Sequence, residues 1–305
     1  MNRPMHIPDG FLSTPVWAAL DVVSVPAIGF AARRAEGVWE ESRVPLLGVM
    51  GAFVFAAQMI NFPVGAGTSG HLVGSSLLAI TLGPAAAIIV MTAILALQAL
   101  IFQDGGLLAL GANVFNMGVA GVFAGYLPYL LWSSGSWRRA SVFAGGLLSV
   151  MVAASLTMVE LRISGLPMPM AVASVSSGLF LISGLIEGAI TVAVVSSLEK
   201  MNPDWLQPAP EARRSWGALI IAAILLASVG ALFASALPDG LEKLAETLGI
   251  ADRSRNLVEA PVAEYELRWV DQPLMRKAAA GLLGLGMIYG ICLAVGRVLA
   301  RRRTV

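Results

Sequence analysis

Residues 84–103 read PAAAIIVMTAILALQALIFQ, an uninterrupted stretch without a charged residue. A helix needs about 20 mostly apolar residues to cross the hydrocarbon core of a bilayer, and this stretch has that length. The whole chain of 305 residues is 57% hydrophobic and only 13% charged, whereas a soluble domain carries about 25% charged residues. So little polar surface cannot cover a water-soluble globule, and the sequence predicts an all-α integral membrane protein.

About nine segments of this kind follow one another along the chain. They lie at about 13–32, 44–62, 70–82, 84–103, 107–132, 140–161, 170–198, 215–237 and 278–299. The third follows a glycine-rich loop and is short, so we expect a partial or tilted segment buried among its neighbours. The predicted fold is a polytopic transmembrane helical bundle of about seven spans followed by a unit of two.

Basic residues predict the orientation of this bundle, because cytoplasmic loops are enriched in Lys and Arg. They cluster after the first, fifth, seventh and ninth predicted spans: Arg33, Arg34, Arg43, Arg138, Arg139, Lys200, Arg213, Arg214, Arg297, Arg301, Arg302 and Arg303. If the spans alternate, these clusters all face the cytoplasm and the N-terminus lies outside. Arg3, Arg276 and Lys277 fall on the outer side and depart from the pattern. We expect a multi-pass protein of a bacterial or archaeal cell membrane.

The chain divides at a proline-rich stretch, NPDWLQPAPEARR at 202–214, which is typical of a linker. The predicted division is a membrane domain over 1–201, this cytoplasmic linker, and a two-span unit over 215–305. The two-span unit contains a polar outer loop at about 238–276 that is rich in Asp and Glu. We expect that loop to form a small solvated cap with one short helix near 239–249.

Several classes of function are disfavoured by what the sequence lacks. The net charge of +1 predicts no nucleic-acid partner, and the one cysteine, Cys292, excludes a disulfide within the chain. No lysine follows a glycine, so the chain has no G-x-x-x-x-G-K-[ST] loop for ATP. We therefore expect neither an ATPase nor another enzyme, and no organic cofactor.

The two histidines, His6 and His71, lie on the predicted outer side among turn-forming residues. If the chain began at Met5, its amine, the amide nitrogen of His6 and the His6 imidazole could form adjoining chelate rings, with His71 as a fourth donor. Four nitrogens in a plane suit Ni²⁺ or Cu²⁺, whereas Zn²⁺ prefers a tetrahedron. The spacing of two histidines is weak evidence, and a structural role for both remains open.

Three motifs closely resemble the CbiM/NikM family: MHIPDGFLS at 5–13, NFPVGAGTSGHLVGSSLLAITLGP at 61–84 and QALIFQDGGLLALGANVFNMGVAG at 98–121. A fourth, SALPDGLEKLAE at 235–246, resembles the PDGLE segment that occurs fused to such proteins. The resemblance implies the substrate-binding component of an energy-coupling-factor transporter for nickel or cobalt, of the fused NikMN type. It also implies partners, namely a transmembrane coupling subunit (the T component) and two ATP-binding-cassette ATPases.

By the same resemblance, the metal ligands are the Met5 amine, the His6 amide and imidazole, and His71. The sequence departs from the family pattern in one respect, because Met1, Asn2, Arg3 and Pro4 precede Met5 and occupy its amine. Since the pattern needs Met5 first, we favour a translation start at Met5, with trimming of the N-terminus or a different metal site as the alternatives.

Further polar residues lie inside or beside these motifs and are candidates to orient the ligands by hydrogen bonds. They are Asp9, Asn61, Ser69, Gln98, Asp104, Asn113 and Asn116. Ordinary bonds between helices are the alternative for each, and a turn or cap is a further alternative for Asp9. Glu187 and Asp21 are ionisable residues within predicted spans. Glu187 is a candidate for coupling to a partner subunit, with pairing inside the bundle as the alternative.

Other functions stay open at this stage. The chain could be a cobalt-specific component that supplies cobalamin synthesis, or a secondary divalent-cation permease that acts alone. An intramembrane metalloenzyme would need a general base near His71, and none is evident. A scaffold protein with structural histidines is the remaining alternative. The fused C-terminal unit weakly favours nickel over cobalt.

Overall fold

The computed structural model describes residues 5–36, 44–65, 67–201, 217–230, 235 and 237–301. In chain order the helices are Thr14–Ala35 (α1), Val44–Gln58 (α2), Ser75–Leu82 (α3), Pro84–Phe102 (α4), Leu110–Trp132 (α5), Arg138–Ile163 (α6), Met170–Met201 (α7), Gly217–Leu225 with its continuation Leu226–Gly230 (α8), Gly240–Leu248 (α9) and Pro273–Arg301 (α10). Among these, α1, α4, α5, α6, α7 and α10 are apolar and long enough to cross a membrane. The predicted all-α membrane fold is confirmed.

The third predicted span is a short buried helix and does not cross a bilayer by itself. Helix α3 has 8 residues, all of them buried, and at 1.5 Å per residue it is about 12 Å long. The hydrocarbon core is about 30 Å thick. Helix α2, with 15 residues, is also shorter than the segment predicted at 44–62. Both helices are packed inside the bundle, as expected for the partial third segment.

The glycine-rich loop before α3 forms a small hairpin that the sequence analysis did not predict. Its strands, Phe62–Gly65 (β1) and Thr68–Gly70 (β2), are antiparallel, with Phe62 opposite Gly70. All residues of β2 are buried. Irregular backbone is tolerated at membrane depth where protein buries it and satisfies its hydrogen bonds, and the hairpin provides part of that satisfaction directly before His71.

Two of the long helices contain π-helical stretches, Gln98–Phe102 at the end of α4 and Val114–Gly121 within α5. Such insertions occur often at functional sites because they redirect side chains. Here they carry Gln98 and Asn116, two of the polar residues singled out from the sequence.

Among the described residues, loops predicted to lie outside meet at one end of the bundle, and Arg138 of one predicted cytoplasmic cluster lies at the other. The N–H of Ser13, before α1, donates to Ser164, after α6. At the opposite end of α6, Arg138 binds Glu199 near the end of α7 at 2.7 Å. Residues 202–214, predicted as the linker, and 1–4 lie outside the described residues.

The segment 238–276, predicted as a solvated cap, is exposed in part, since many residues between 252 and 272 face solvent, but it also packs on the bundle. The predicted short helix is present as α9, but Leu241, Leu244, Ile250 and Val262 are buried. The first three pack against earlier residues of the chain such as Ile7 and Leu161, and hydrophobic burial of this kind removes part of the segment from water. Helix α10 likewise packs along α2. Its Cys292 is 3% exposed, lies near Gly51 of α2 and serves as a small apolar side chain.

Helices α6 and α7 approach each other at glycines. A Cβ placed on Gly188 would lie 2.7 Å from the carbonyl oxygen of Phe143 and 2.9 Å from its ring. Real Cβ atoms do not tolerate such contacts, so the close approach depends on the missing side chain. On the same helix, Gly178 has no atom within 4 Å of the corresponding position.

We therefore expect Gly188→Ala to destabilise the protein by about 1–3 kcal/mol, because the two helices must separate. The matched variant Gly178→Ala should be neutral or stabilising by up to about 1 kcal/mol, since alanine favours helix. Thermal unfolding of both variants in detergent measures the difference. Equal unfolding temperatures would contradict the packing described here.

Candidate metal centre

The N-terminal segment brings His6 into the protein interior, where it is 3% exposed. Asp104, in the loop between α4 and α5, contacts it. One oxygen of that carboxylate, Oδ1, accepts the N–H of Met5 at 2.7 Å and lies 3.2 Å from Nδ1 of His6. The backbone nitrogen of Met5 and Nδ1 of His6 therefore both lie close to the same oxygen atom, Oδ1 of Asp104. His6 Nε2 is buried and has no hydrogen-bond partner among the described residues.

The other oxygen of Asp104 accepts the hydroxyl of Tyr265 at 2.7 Å. Burial raises the pKa of Asp104, but the interaction with His6 and the hydrogen bonds of His6 and Tyr265 outweigh it, and the net pKa is lowered. Asp104 is therefore an ionised carboxylate. Burial raises the pKa of Tyr265 well above its ordinary value, and the charge of Asp104 adds to the effect, so Tyr265 remains a hydroxyl donor.

Asn113 and a pair of glycines fix the position of the N-terminal segment. The Asn113 amide accepts the N–H of Ile7 and donates to its carbonyl, both at 3.0 Å. A Cβ at Gly105 would lie 3.1 Å from Cβ of His6, and Gly105 has φ +102°. A Cβ at Gly106 would overlap the carboxylate of Asp9. The sequence QDGG thus permits a close approach that a side chain would block.

Asp9 caps a helix distant in the chain, whereas the alternative considered from the sequence was a turn or cap within its own PDGFLS motif. Its carboxylate accepts the N–H groups of Leu107, Leu108 and Ala109 at 2.8 to 3.1 Å, ahead of α5. Asp21 in α1 accepts the N–H of Gly111 at 2.8 Å. Both carboxylates therefore satisfy unpaired N–H groups at the start of α5, where negative charge is favourable. They support the site by holding its loop, and neither faces a histidine.

His71 follows β2 and lies beside His6, with 5.6 Å between the ring centroids. Burial, with a smaller contribution from the nearby His6, lowers the pKa of His71 to about 4. His71 is therefore neutral at physiological pH, as a metal ligand must be. Its Nδ1 is buried without a hydrogen-bond partner among the described residues.

Glu187 of α7 holds the backbone that follows His71. Its two carboxylate oxygens accept the N–H groups of Val73 and Gly74, both at 2.8 Å, and its side chain is fully buried. The alternative considered from the sequence, pairing inside the bundle, is therefore what the structure shows. Its role in coupling to a partner stays a prediction.

Gln98 acts on the same loop through Gln58. Its amide donates to Gln58 at 3.0 Å, and Gln58 donates to the carbonyl oxygen of Val73 at 2.8 Å. Gln58 was not among the predicted residues. Gln58 lies in the apolar helix α2. An isolated amide side chain in such a helix was the signal that could have identified it.

The remaining predicted residues do not contact a histidine in the described part of the chain. The carbonyl oxygen of Asn61 accepts the N–H of Ser235 at 2.7 Å. Ser69 donates its hydroxyl to Leu237 and its N–H to Pro238. Both residues therefore fasten the C-terminal unit to the hairpin.

Asn116 lines a cavity next to the histidines. The cavity measures about 90 Å³, and Met5, His6, His71 and Asp239 line it on the outer side. The other lining residues include apolar side chains of α6 and α7, such as Val150, Ala153 and Phe180, and the polar residues Asn113, Thr157 and Ser183. Asn116 donates to Glu160 at 2.9 Å and to Thr157 at 3.3 Å. Glu160 and Thr157 were not singled out from the sequence.

The C-terminal unit supplies two residues that the sequence analysis missed, Asp239 and Tyr265. Asp239 Oδ2 lies 3.7 Å from Nδ1 of His71, and Asp239 is 4% exposed. Burial raises the pKa of Asp239 well above its ordinary value. The PDGLE motif could have revealed Asp239 as a helix cap, whereas nothing around Tyr265 in the sequence indicated its role.

The described residues contain no group of three or more His, Cys, Asp or Glu side chains arranged to hold a metal ion. The protein-family model of CbiM, described as "cobalt uptake substrate-specific transmembrane region", matches residues 6–205 of the sequence. The family model of the PDGLE domain matches residues 213–301.

The chain belongs to the CbiM family. It is 34% identical over 304 residues to a putative fused nickel transport protein, NikMN, of Archaeoglobus fulgidus, covering 96% of this chain and 98% of that protein. It is 31% identical to the fused nickel transport protein NikMN of Rhodobacter capsulatus, covering 98% and 99%. This CbiM-family chain is therefore a multi-pass component of metal transport in the cell membrane.

Solved structures agree with this assignment. A crystal structure of a truncated transition metal transporter superposes with a TM-score of 0.58 at 35% sequence identity. It covers 64% of this chain and 98% of the other. A related transition metal transporter structure gives a TM-score of 0.55, also at 35% identity.

The two hydrogen bonds that Glu187 accepts from Val73 and Gly74 can be tested by substitution. Glu187→Gln replaces one acceptor by an NH₂ group that faces a backbone N–H. We expect a loss of about 1.5–3 kcal/mol in the free energy of unfolding. Glu160→Gln is the matched control, because one of its oxygens accepts from Asn116 and the other has no partner among the described residues. Similar unfolding temperatures for both variants would show that Glu187 does not hold the loop.

Proposed function

We propose that this chain is the metal-capturing component of an energy-coupling-factor importer for Ni²⁺, with Co²⁺ as the alternative substrate. The ion is bound on the outer side by the Met5 amine, the amide nitrogen and imidazole of His6, and the imidazole of His71. The observation that carries the proposal is the convergence of Met5 N and His6 Nδ1 on one oxygen of Asp104, at 2.7 and 3.2 Å, beside the ring of His71.

The donor atoms suit a planar nitrogen site. Met5 N, His6 N and His6 Nδ1 belong to two consecutive residues, so they can close adjoining five- and six-membered chelate rings around one ion. His71 is neutral and adds an imidazole nitrogen. A planar set of four nitrogens favours Ni²⁺ over Zn²⁺, and Ni²⁺ exceeds Co²⁺ in the general order of affinities. The proposal requires a free amine on Met5, and therefore a mature chain that begins there.

The energy for uptake comes from partner proteins in this proposal. The sequence has no P-loop motif, so a transmembrane coupling subunit and two ATP-binding-cassette ATPases supply ATP hydrolysis. Glu187 offers a link to such partners, because it joins α7 to the backbone two residues beyond His71. A movement of α7 would be transmitted to His71 through these hydrogen bonds.

We expect the purified chain to bind one Ni²⁺ and His71→Ala to lose high-affinity binding, since the variant removes one of four donors. Isothermal titration and intact mass spectrometry measure affinity, stoichiometry and the N-terminal residue together. Thr157→Val is the control, because Thr157 lines the same cavity but donates its hydroxyl within α6. Binding by His71→Ala with the wild-type affinity would exclude the site, as would a metal-free wild-type chain that retains Met1.

We also expect this chain alone, reconstituted in liposomes, to bind Ni²⁺ without ATP-driven accumulation. Co-reconstitution with a coupling subunit and its ATPases should give uptake that depends on ATP. Radioactive ⁶³Ni²⁺ inside the liposomes is the measurement. Rapid accumulation by the chain alone under a Ni²⁺ gradient would instead establish a secondary permease. Competition by Co²⁺ in the same assay ranks the two substrates.

A further inference from the structure

Asp239 has one carboxylate oxygen with a structural task and one without. Oδ1 accepts the N–H of Glu242 at 2.7 Å and caps α9. Oδ2 is buried, has no hydrogen-bond partner among the described residues, and lies 3.7 Å from Nδ1 of His71. That Nδ1 is also buried and unpartnered among the described residues. Two unpartnered polar atoms therefore face each other across a gap slightly longer than a hydrogen bond.

A cap alone does not explain an aspartate at this position. Serine and asparagine cap helices about as well as aspartate, and neither leaves a second carboxylate oxygen without a partner in the protein interior. A buried polar group with no partner is costly. The free oxygen is consistent with a second role, directed at His71.

The same C-terminal unit also acts on His6. Tyr265 donates to Asp104 Oδ2, and Asp104 Oδ1 contacts His6 Nδ1. The Tyr265 ring stacks on Phe102 with 4.6 Å between centroids, which fixes its hydroxyl. Each histidine therefore has a carboxylate near its Nδ1. The C-terminal unit provides Asp239 beside His71, and its Tyr265 donates a hydrogen bond to Asp104 beside His6.

We propose that the C-terminal unit completes the metal centre, with Asp239 as a positioning residue that accepts Nδ1–H of His71 and so presents Nε2 of that ring to the ion. Tyr265 holds Asp104 beside the Met5 and His6 nitrogens by its hydrogen bond to Oδ2. This inference rests on the proposed function, because it assumes that His71 is a ligand. Carboxylate partners of ligating histidines fix the tautomer and the ring orientation.

Two variants at Asp239 separate the positioning role from the cap. Asp239→Asn keeps an oxygen for Glu242 but turns an NH₂ donor toward His71 Nδ1, which favours the tautomer with the proton on Nε2. Asp239→Ser keeps the cap and removes the group that faces His71. We expect Ni²⁺ affinity to fall about 10–100-fold in Asp239→Asn and to fall less in Asp239→Ser.

Glu246→Gln is the control, and Tyr265→Phe tests the second contact of the C-terminal unit. Glu246 lies on the same helix, is exposed and pairs with Lys243, so its neutralisation should leave affinity unchanged. Tyr265→Phe keeps the stack on Phe102 and removes the hydroxyl, and a loss of roughly fivefold is expected for one hydrogen bond. Titration calorimetry of all four variants with Ni²⁺ alone measures the order of their affinities for the ion.

The histidine tautomer is a readout that a helix cap would not change. The chain has two histidines, so a ¹⁵N-histidine spectrum of the metal-free protein contains two imidazoles, and His71→Ala assigns them. We expect the proton on Nδ1 of His71 in the wild type and on Nε2 in Asp239→Asn. Equal affinities and an unchanged tautomer in Asp239→Asn would overturn the proposal. Equal losses in the Asn and Ser variants would also overturn it, because they would indicate a role for the carboxylate charge alone.

Failure of this inference is distinguishable from failure of the proposed function. If wild-type protein binds Ni²⁺, His71→Ala abolishes binding and Asp239→Asn binds normally, the ligand assignment stands and only the role of Asp239 falls. If wild-type protein with a free Met5 amine binds no Ni²⁺, the proposed function falls, and this inference falls with it.

Discussion

Irregular backbone buried among membrane helices must find its hydrogen-bond partners inside the protein, because hydrocarbon offers none. Buried carboxylates meet this requirement throughout the outer end of the bundle. Asp9 accepts three N–H groups ahead of α5, Asp104 accepts that of Met5, and Glu187 accepts two beyond His71. Without these acceptors the N-terminal segment and the hairpin could not lie where His6 and His71 meet. The position of both histidines therefore depends on buried acidic side chains.

Much of this architecture could be predicted from the sequence, because it depends on length and polarity alone. An apolar stretch such as 84–103 permits few structures other than a spanning helix, and α4 is one. The position of Met5, His6 and Asp104 in shared motifs likewise predicted that they lie close together. These are properties of local sequence or of a family pattern, and the structure agrees with them.

The missed features depend on partners distant in the chain. Asp239 lies in a segment with many acidic residues, so its composition predicted a solvated loop, yet its contact is His71, well over a hundred residues earlier. For Glu187 the sequence left coupling to a partner and pairing inside the bundle both open, and it could not identify the N–H groups of Val73 and Gly74 as the groups that its two oxygens accept. Tyr265 carries no local signal, since a tyrosine in a polar loop is unremarkable. Burial against another segment decides each role, and a single sequence does not contain that information.

The charges around the site suggest why a carboxylate lies so close to the nitrogen donors. A divalent ion that displaces one amide proton leaves a net charge of about +1, which is costly in surroundings of low dielectric constant. Asp104 is ionised and already touches Met5 N and His6 Nδ1, so its charge offsets that of the occupied site. Tyr265 holds this carboxylate from the far side as a neutral donor. In the proposed site, this arrangement would offset the charge of a bound metal in an apolar interior, with a residue from each of the two fused units.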